Sequence, residues 1–210
     1  MPAKTRLFLA RHAEPENPDG VFYGHLPGFG LSAGGRRQAR ALGKALAAAE
    51  VAAVFSSPLE RARETATLAA KELPLGPKVE LRDELLETGF GRYIQGIPRA
   101  QMLVRRPLFI VHLLRPGLLP GDESVDEMAD RVGRTCAEAL AAARGKAALL
   151  VSHADPIKAF WNRYLGRPGW RFHLLRLAKG SWLELDYEGE RLLSAAYHGP
   201  LVGPYEDAAC

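Results

Sequence analysis

Cysteine is nearly absent from this chain. The 210 residues include two, Cys136 and the terminal Cys210. Cys136 falls in a predicted helix and Cys210 at the very end, which gives no disulfide framework and no cysteine-based metal spacing. Long apolar runs are also missing. After Met1-Pro2-Ala3-Lys4-Thr5-Arg6 only Leu7 to Ala10 run together, too short for the core of a secretory leader, and nothing approaches the ~20 apolar residues that span a bilayer. An excess of one charge is lacking too: 28 Lys and Arg against 24 Asp and Glu leave +4, with the basic residues scattered. That argues against a nucleic-acid surface and suits a small anion equally well. His25, His112, His173 and His198 follow no metal-ligand spacing and read as surface or packing residues. The expectation is a cytoplasmic protein with no metal, no cofactor, no membrane segment and no nucleic-acid partner, and a homodimer is left open.

What is present describes an ordinary globular chain, 47% hydrophobic and 25% charged, long enough for one well-buried core and one domain over 1–210. Arg6–Ala10, Val51–Phe55 and Ala147–Val151 read as short buried strands. Between them, Ser32 is placed to cap a helix reaching about Ala49, with Leu42 and Leu46 on one face. Pro58 suits the first turn of a helix through Ala70. A helix over Glu123–Ala143, capped near Asp122, and another from Pro156 to about Leu165 follow. Val79–Leu81 reads as an edge strand. Leu174–Ala178, Trp182–Tyr187 and Leu192–Tyr197 alternate like antiparallel strands, with a hairpin turn at Glu188-Gly189. Strands alternating with helices predict an α/β fold, a three-layer α/β/α sandwich with a mainly parallel sheet. The stretch from Gly89 to Gly121 carries Pro98, Pro107, Pro116 and Pro120, so only short helical pieces fit there.

Ligands of such sheets sit outside the carboxyl ends of the strands. His12 and His153 both follow apolar strands, so both should reach that crevice. With Arg11, Arg61 and Glu87 they supply what phosphoryl transfer needs: a nucleophile, cations for the equatorial oxygens and an acid for the leaving alcohol. Arg11 and Arg61 can each grip two phosphate oxygens as a planar fork. His12 can attack if neutral, and the neighbouring cations favour that form. His153 would donate to the phosphoryl oxygens, and a buried, protonated Glu87 would protonate the leaving group and later activate water. Ser57 reads as a helix cap rather than a substrate contact.

These stretches resemble the histidine phosphatase superfamily, which includes phosphoglycerate mutase and many small-molecule phosphatases. The family's Arg-His-Gly-Glu is matched by Arg11-His12-Ala13-Glu14, and its Leu-Ser/Thr-x-x-Gly-x-x-Gln-Ala by Leu31 to Ala39. Its Ser-Ser-Pro-Leu-x-Arg-Ala-x-x-Thr-Ala stands intact from Ser56 to Ala66. Its acid motif is matched by Leu85, Glu87, Phe90 and Gly91, its Gly-x-Glu-Ser by Gly121 to Ser124, and its Val-Ser-His by Val151 to His153. The resemblance implies a phosphoglycerate mutase-like fold, His12 as the phosphorylated nucleophile, Arg11, Arg61 and His153 around the phosphate, and Glu87 as proton donor.

Four departures stand out. Alanine replaces glycine after each histidine (Ala13, Ala154), which a negative φ would tolerate. Tyr93-Ile94-Gln95-Gly96 stands where the family has Trp-Glu-Gly. Asn17 lies five residues past His12 instead of six. Tyr23-Gly24 stands where a polar-Gly pair is usual. The expected reaction is metal-independent hydrolysis of a small-molecule phosphate ester. The alternatives are a cofactor-dependent phosphoglycerate mutase-type phosphotransferase and a regulatory module that binds phosphoproteins. The most individual segment, Arg99 to Leu119, mixes Arg99, Arg105, Arg106 and Arg115 with apolar residues, and the insertion at about 92–120 reads as a substrate cap for an ester with a sizeable organic part. The expected site is His12, Glu87 and His153 as catalytic groups, with Arg11, Arg61, Asn17 and Ala154 binding substrate.

Overall fold

The computed structural model describes residues 4–201 apart from 90, 120 and 144. Phe90, one of the acid-motif residues, and Cys210 lie outside the described residues.

Strand β1 (Lys4–Arg11) alternates its apolar side chains across the sheet, and this alternation builds two cores. Leu7 and Leu9 face one side, Phe8 and Ala10 the other. On the Phe8 side pack α1 (Ala33–Leu46) and α2 (Glu60–Ala70), through Leu42, Leu46, Ala62, Ala66 and Ala69. On the Leu7 side pack α6 (Val125–Ala143) and α7 (Ala154–Tyr164), through Val132, Cys136, Ala139 and Ile157. A sheet covered on both faces requires strands apolar throughout. Accordingly β4 (Ala147–Ser152) is buried at every residue.

The six strands lie in the order β3-β2-β4-β1-β5-β6, with β2 at Val51–Ser56, β3 at Val79–Leu81, β5 at Trp182–Glu188 and β6 at Arg191–His198. The first four are mutually parallel, and β5 and β6 add an antiparallel edge. The expected three-layer, mainly parallel architecture is the one observed.

Local differences have local causes. Helix α1 ends at Leu46 because Ala47–Ala49 tighten into a 3-10 turn and Glu50 takes a left-handed φ of 50°. Its start is as expected, with Ser32 Oγ accepting from the Gly35 N–H at 3.0 Å. Helix α2 begins at Glu60, two residues after Pro58, and α7 begins at Ala154, ahead of Pro156. Helix α6 is capped by Ser124, not Asp122: Ser124 Oγ accepts from the Glu127 N–H, and Glu127 Oε2 accepts from the Ser124 N–H, a reciprocal capping box. Leu174–Ala178 forms no strand. Both edges of β5 are already taken, by β1 and β6, and the segment instead follows a 3-10 turn over Gly169–Leu174.

Between Gly89 and Gly121 the chain makes the short pieces its prolines allow: α3 (Gly91–Ile94), a 3-10 turn at Arg99–Gln101, α4 (Met102–Arg105) and α5 (Phe109–Leu114). Ile94, Ile97 and Met102 form a small core with Phe22 and Phe109. The segment is tied to the loop after β1 by the Phe22 N–H to Ile97 O bond (3.0 Å) and the Gly96 N–H to Phe22 O bond (2.8 Å).

Candidate active site

Strands β1 and β4 are neighbours in register, with Arg11 opposite Ser152, and the His12 N–H donates to Ser152 O at 2.9 Å. Each strand therefore releases its histidine at the same point, and the two rings stand 5.1 Å apart between centroids. Strand β2 ends beside them, where the Ser57 N–H donates to Val151 O (2.9 Å) and the following α2 delivers Arg61 from its first turn. The sheet thus brings together His12, His153, Arg61 and Arg11 from three strand ends.

Arg61 is 1% exposed and sits between the histidines. Its Nε–H donates to His12 Nε2 at 3.3 Å, and Nη2 donates to His153 Nδ1 at 3.2 Å and to Gly24 O at 2.8 Å. Its guanidinium carbon lies 4.5 Å from the centre of the Tyr23 ring. These bonds fix both tautomers. His12 Nδ1 is 2.8 Å from Ala13 O, an acceptor only, so the proton is on Nδ1 and the Nε2 lone pair accepts from Arg61 Nε–H. His153 accepts at Nδ1, so its proton is on Nε2 and is donated to Ser57 Oγ at 2.8 Å.

Burial, then the charges of Arg61 and Arg11, hold the His12 imidazolium well below the ordinary histidine range, with Lys179 adding to them. Burial and Arg61 do the same for His153. Both rings are neutral at pH 7. Burial also lowers the Arg61 value, because the guanidinium is a cation withdrawn from water. Glu87 moves the other way: burial first, then the neighbouring Asp155, push it up to about 7. Its segment is pinned from three sides. Ser152 Oγ donates to Leu85 O (2.8 Å), Arg131 Nη1 to Leu86 O (2.7 Å), and His25 Nε2 to the Glu87 backbone O (2.9 Å).

The remaining expected residues divide. Ala13 and Ala154 both keep negative φ, since Glu50 is the only non-glycine residue with positive φ among the described residues, and the methyl groups are tolerated. The Ala13 N–H is held by Thr65 Oγ1 at 3.0 Å. Asn17 uses both ends of its amide on Val21: Nδ2 donates to Val21 O (3.0 Å), and Oδ1 accepts from the Val21 N–H (3.1 Å). Ser57 is not the cap of α2. That position is Leu59, and Ser57 Oγ holds His153 and accepts more weakly from the Leu59 N–H at 3.3 Å. His25 is not a surface residue, because its Nε2 holds the backbone O of Glu87. His112 is buried against Asp122 (2.9 Å).

Sequence reasoning also missed Lys179 and Asp155. Lys179 lies in the loop before β5, where the Gly180 N–H donates to His12 O at 3.1 Å. Only the pairing of β1 with β5 brings that loop to the site, so no local motif could have marked it. Asp155 had a signal: it is a carboxyl two residues past His153, at the start of a helix.

Residues 7–198 match the histidine phosphatase superfamily (branch 1). The uncharacterised Mycobacterium tuberculosis protein Rv0525 is 33% identical over 203 residues, covering 95% of this chain and 98% of its own. The probable phosphoglycerate mutase GpmB of Salmonella choleraesuis is 29% identical, covering 91% and 89%. Among solved structures, the mycobacterial glucosyl-3-phosphoglycerate phosphatase Rv2419c in complex with VO3 superposes with a TM-score of 0.75 at 26% identity, covering 91% of this chain and 96% of that one. A putative alpha-ribazole-5'-P phosphatase from Escherichia coli gives 0.71 at 27% identity, covering 93% and 96%. With the matched residues reaching from β1 to the end of β6, this chain belongs to the histidine phosphatase superfamily.

Proposed function

We propose that the protein hydrolyses a small-molecule phosphate monoester through a phosphohistidine. The observation that carries this reading is the His12 tautomer: Nε2 is unprotonated and accepts from the buried Arg61 guanidinium, the group that would meet the phosphoryl oxygens. In the first step His12 Nε2 forms a bond to phosphorus as the ester P–O bond breaks, and the departing alkoxide takes the Glu87 proton. In the second, water attacks phosphorus, gives a proton to the Glu87 carboxylate and releases His12 with inorganic phosphate. A Glu87 value of about 7 lets one group give and then take that proton. Arg61 and Arg11 hold the equatorial oxygens. A phosphoryl oxygen that displaces Arg61 from His153 Nδ1 favours a proton there, which turns His153 into a second donor. Ala154, the first residue of α7, can offer its backbone N–H. Asn17 shapes the loop around it, because its amide is already committed to Val21.

The 92–120 segment is the cap in this reading. It docks on Phe22, next to Tyr23, whose ring meets both Arg61 and His12. The named activities of the two phosphatase relatives, on a glucosyl-phosphoglycerate and on alpha-ribazole phosphate, support an ester with a sizeable organic part. The likeness to GpmB supports the rival, a mutase that keeps the phosphoryl group from water.

A phosphate-release assay on a panel of phosphorylated metabolites separates the two. Steady release without a bisphosphate primer is expected, and transfer between hydroxyls with little free phosphate would favour the mutase. His12→Ala should fold and lose turnover by several orders of magnitude. Retained activity would refute the mechanism.

A further inference from the structure

Asp155 is the second residue of α7, so the turn that delivers His153 to the pocket delivers a carboxyl group with it. The Leu85–Thr88 segment is held to the same place through Ser152 and His25. These two placements bring one carboxyl group from each element to the site, where the charge of Asp155 acts on Glu87. Like charges that are near one another and partly covered resist being carried together, so one group holds its proton to a higher pH than the other.

Their surroundings decide which. Asp155 faces Lys158 of its own helix, with Nζ 3.4 Å from Oδ1 and the lysine side chain nine-tenths covered. It also faces His112 of α5, His173 of the Gly169–Leu174 turn and Arg11 of β1. Glu87 faces Arg61 and Arg11 and accepts the Thr88 N–H at 3.1 Å. Lys158 makes a direct ion pair with Asp155, whereas Arg61 is bonded to both histidines and Arg11 Nη1 donates to Leu177 O. Against the effect of burial, Lys158, His112 and His173 hold Asp155 below the ordinary aspartate range. His112 is itself fixed by Asp122 and meets His173 edge-on at 5.7 Å, so the 92–120 segment packs against this cluster.

We propose that Asp155 is a positioning residue for the proton donor: it keeps the pair's single negative charge beside Lys158 and so leaves the proton on Glu87, where the departing alkoxide needs it. This rests on Glu87 being the donor.

The test is the pH dependence of kcat/KM for β-glycerophosphate, a poor leaving group, beside p-nitrophenyl phosphate, a good one. Asp155→Asn removes the charge, so the alkaline fall for β-glycerophosphate should move about one pH unit towards acid, with a loss of about tenfold above neutrality. p-Nitrophenyl phosphate should change by less than about threefold, because its leaving group needs little help from an acid. Asp155→Glu should restore the profile, and a merely structural role would show no such rescue. Glu87→Gln is the control, expected to slow β-glycerophosphate by about 10²–10⁴-fold and to abolish the alkaline fall.

If Glu87→Gln abolishes that fall while Asp155→Asn leaves it in place, the donor reading stands and the role of Asp155 is overturned. If Glu87→Gln leaves the fall intact, both are overturned. Carboxyl carbon NMR of the wild-type protein needs no variant. Glu87 should titrate near 7 and Asp155 below the ordinary aspartate range, and the reverse order overturns the proposal.

Discussion

Arg61→Met separates a functional arginine from a structural one, because the two roles predict opposite balances of activity and stability. In the free protein the Arg61 guanidinium is buried, and its bonds go to neutral acceptors: two imidazole nitrogens and Gly24 O. Replacing it forfeits three charge-assisted bonds, each worth about 1.5–3 kcal/mol, and a contact with Tyr23 worth about 1 kcal/mol. It also removes the desolvation cost of a buried cation, several kcal/mol, and methionine fills much of the volume. The opposing contributions offset one another in large part, so the variant should lose no more than about 2 kcal/mol of stability to urea. Catalysis has no such compensation. Losing a donor aimed at the developing charge costs about 2.7–4 kcal/mol, a fall of about 10²–10³ in kcat/KM. Both quantities come from one preparation, by phosphate release and by urea denaturation followed by fluorescence. A variant destabilised by more than about 2 kcal/mol, with activity within tenfold of wild type, would refute the assignment of Arg61 to the phosphate.

The charge states also make stability depend on pH. Both histidines have folded values below their unfolded one, so on acidification below about 6.5 the unfolded chain takes up protons that the folded one refuses, and stability falls. Glu87 opposes this: with a folded value of about 7 against 4.5, its contribution is complete below about 4.5 and lost as pH rises through 7. Glu87→Gln should therefore steepen the loss of stability between pH 7 and 5, measured as urea midpoints, and a shallower slope would contradict the assigned charges. Packing offers a separate pair of variants. At Gly43 of α1 an added Cβ would sit 2.3 Å from Ala69 O of α2, so Gly43→Ala should cost about 1–3 kcal/mol or more. At Gly133 of α6 a Cβ meets nothing within 4 Å, so Gly133→Ala should stabilise by up to about 1 kcal/mol. Calorimetric Tm values check both.

Strand β1 shows how far local sequence reaches. Four consecutive apolar residues followed by Arg11-His12 mark a buried strand that ends in a polar pair, because side-chain period and burial are local properties. Ser32 and its helix were legible for the same reason. The Leu174–Ala178 alternation misled because a strand also needs a free partner, and β5 has none to offer. Asp122 and Ser124 both suit a helix start. Ser124 prevailed because Glu127, three residues on, returns the bond. Asn17 carried a resemblance of spacing, while its amide answered the nearer demands of Val21.

The sequence by itself determined the alternating strands and helices, the two strand-end histidines, the two arginines and one carboxyl group. These follow from local periodicity and from motifs whose residue types suit phosphoryl chemistry. Only the tertiary structure decided how they are charged. Burial, with Arg61 placed between the two imidazoles, makes both neutral, the bond from His12 Nδ1 to Ala13 O leaves Nε2 unprotonated towards Arg61, and burial beside Asp155 lets Glu87 keep a proton. Protonation depends on distance and desolvation among groups far apart along the chain, and the order of strands in the sheet sets those distances.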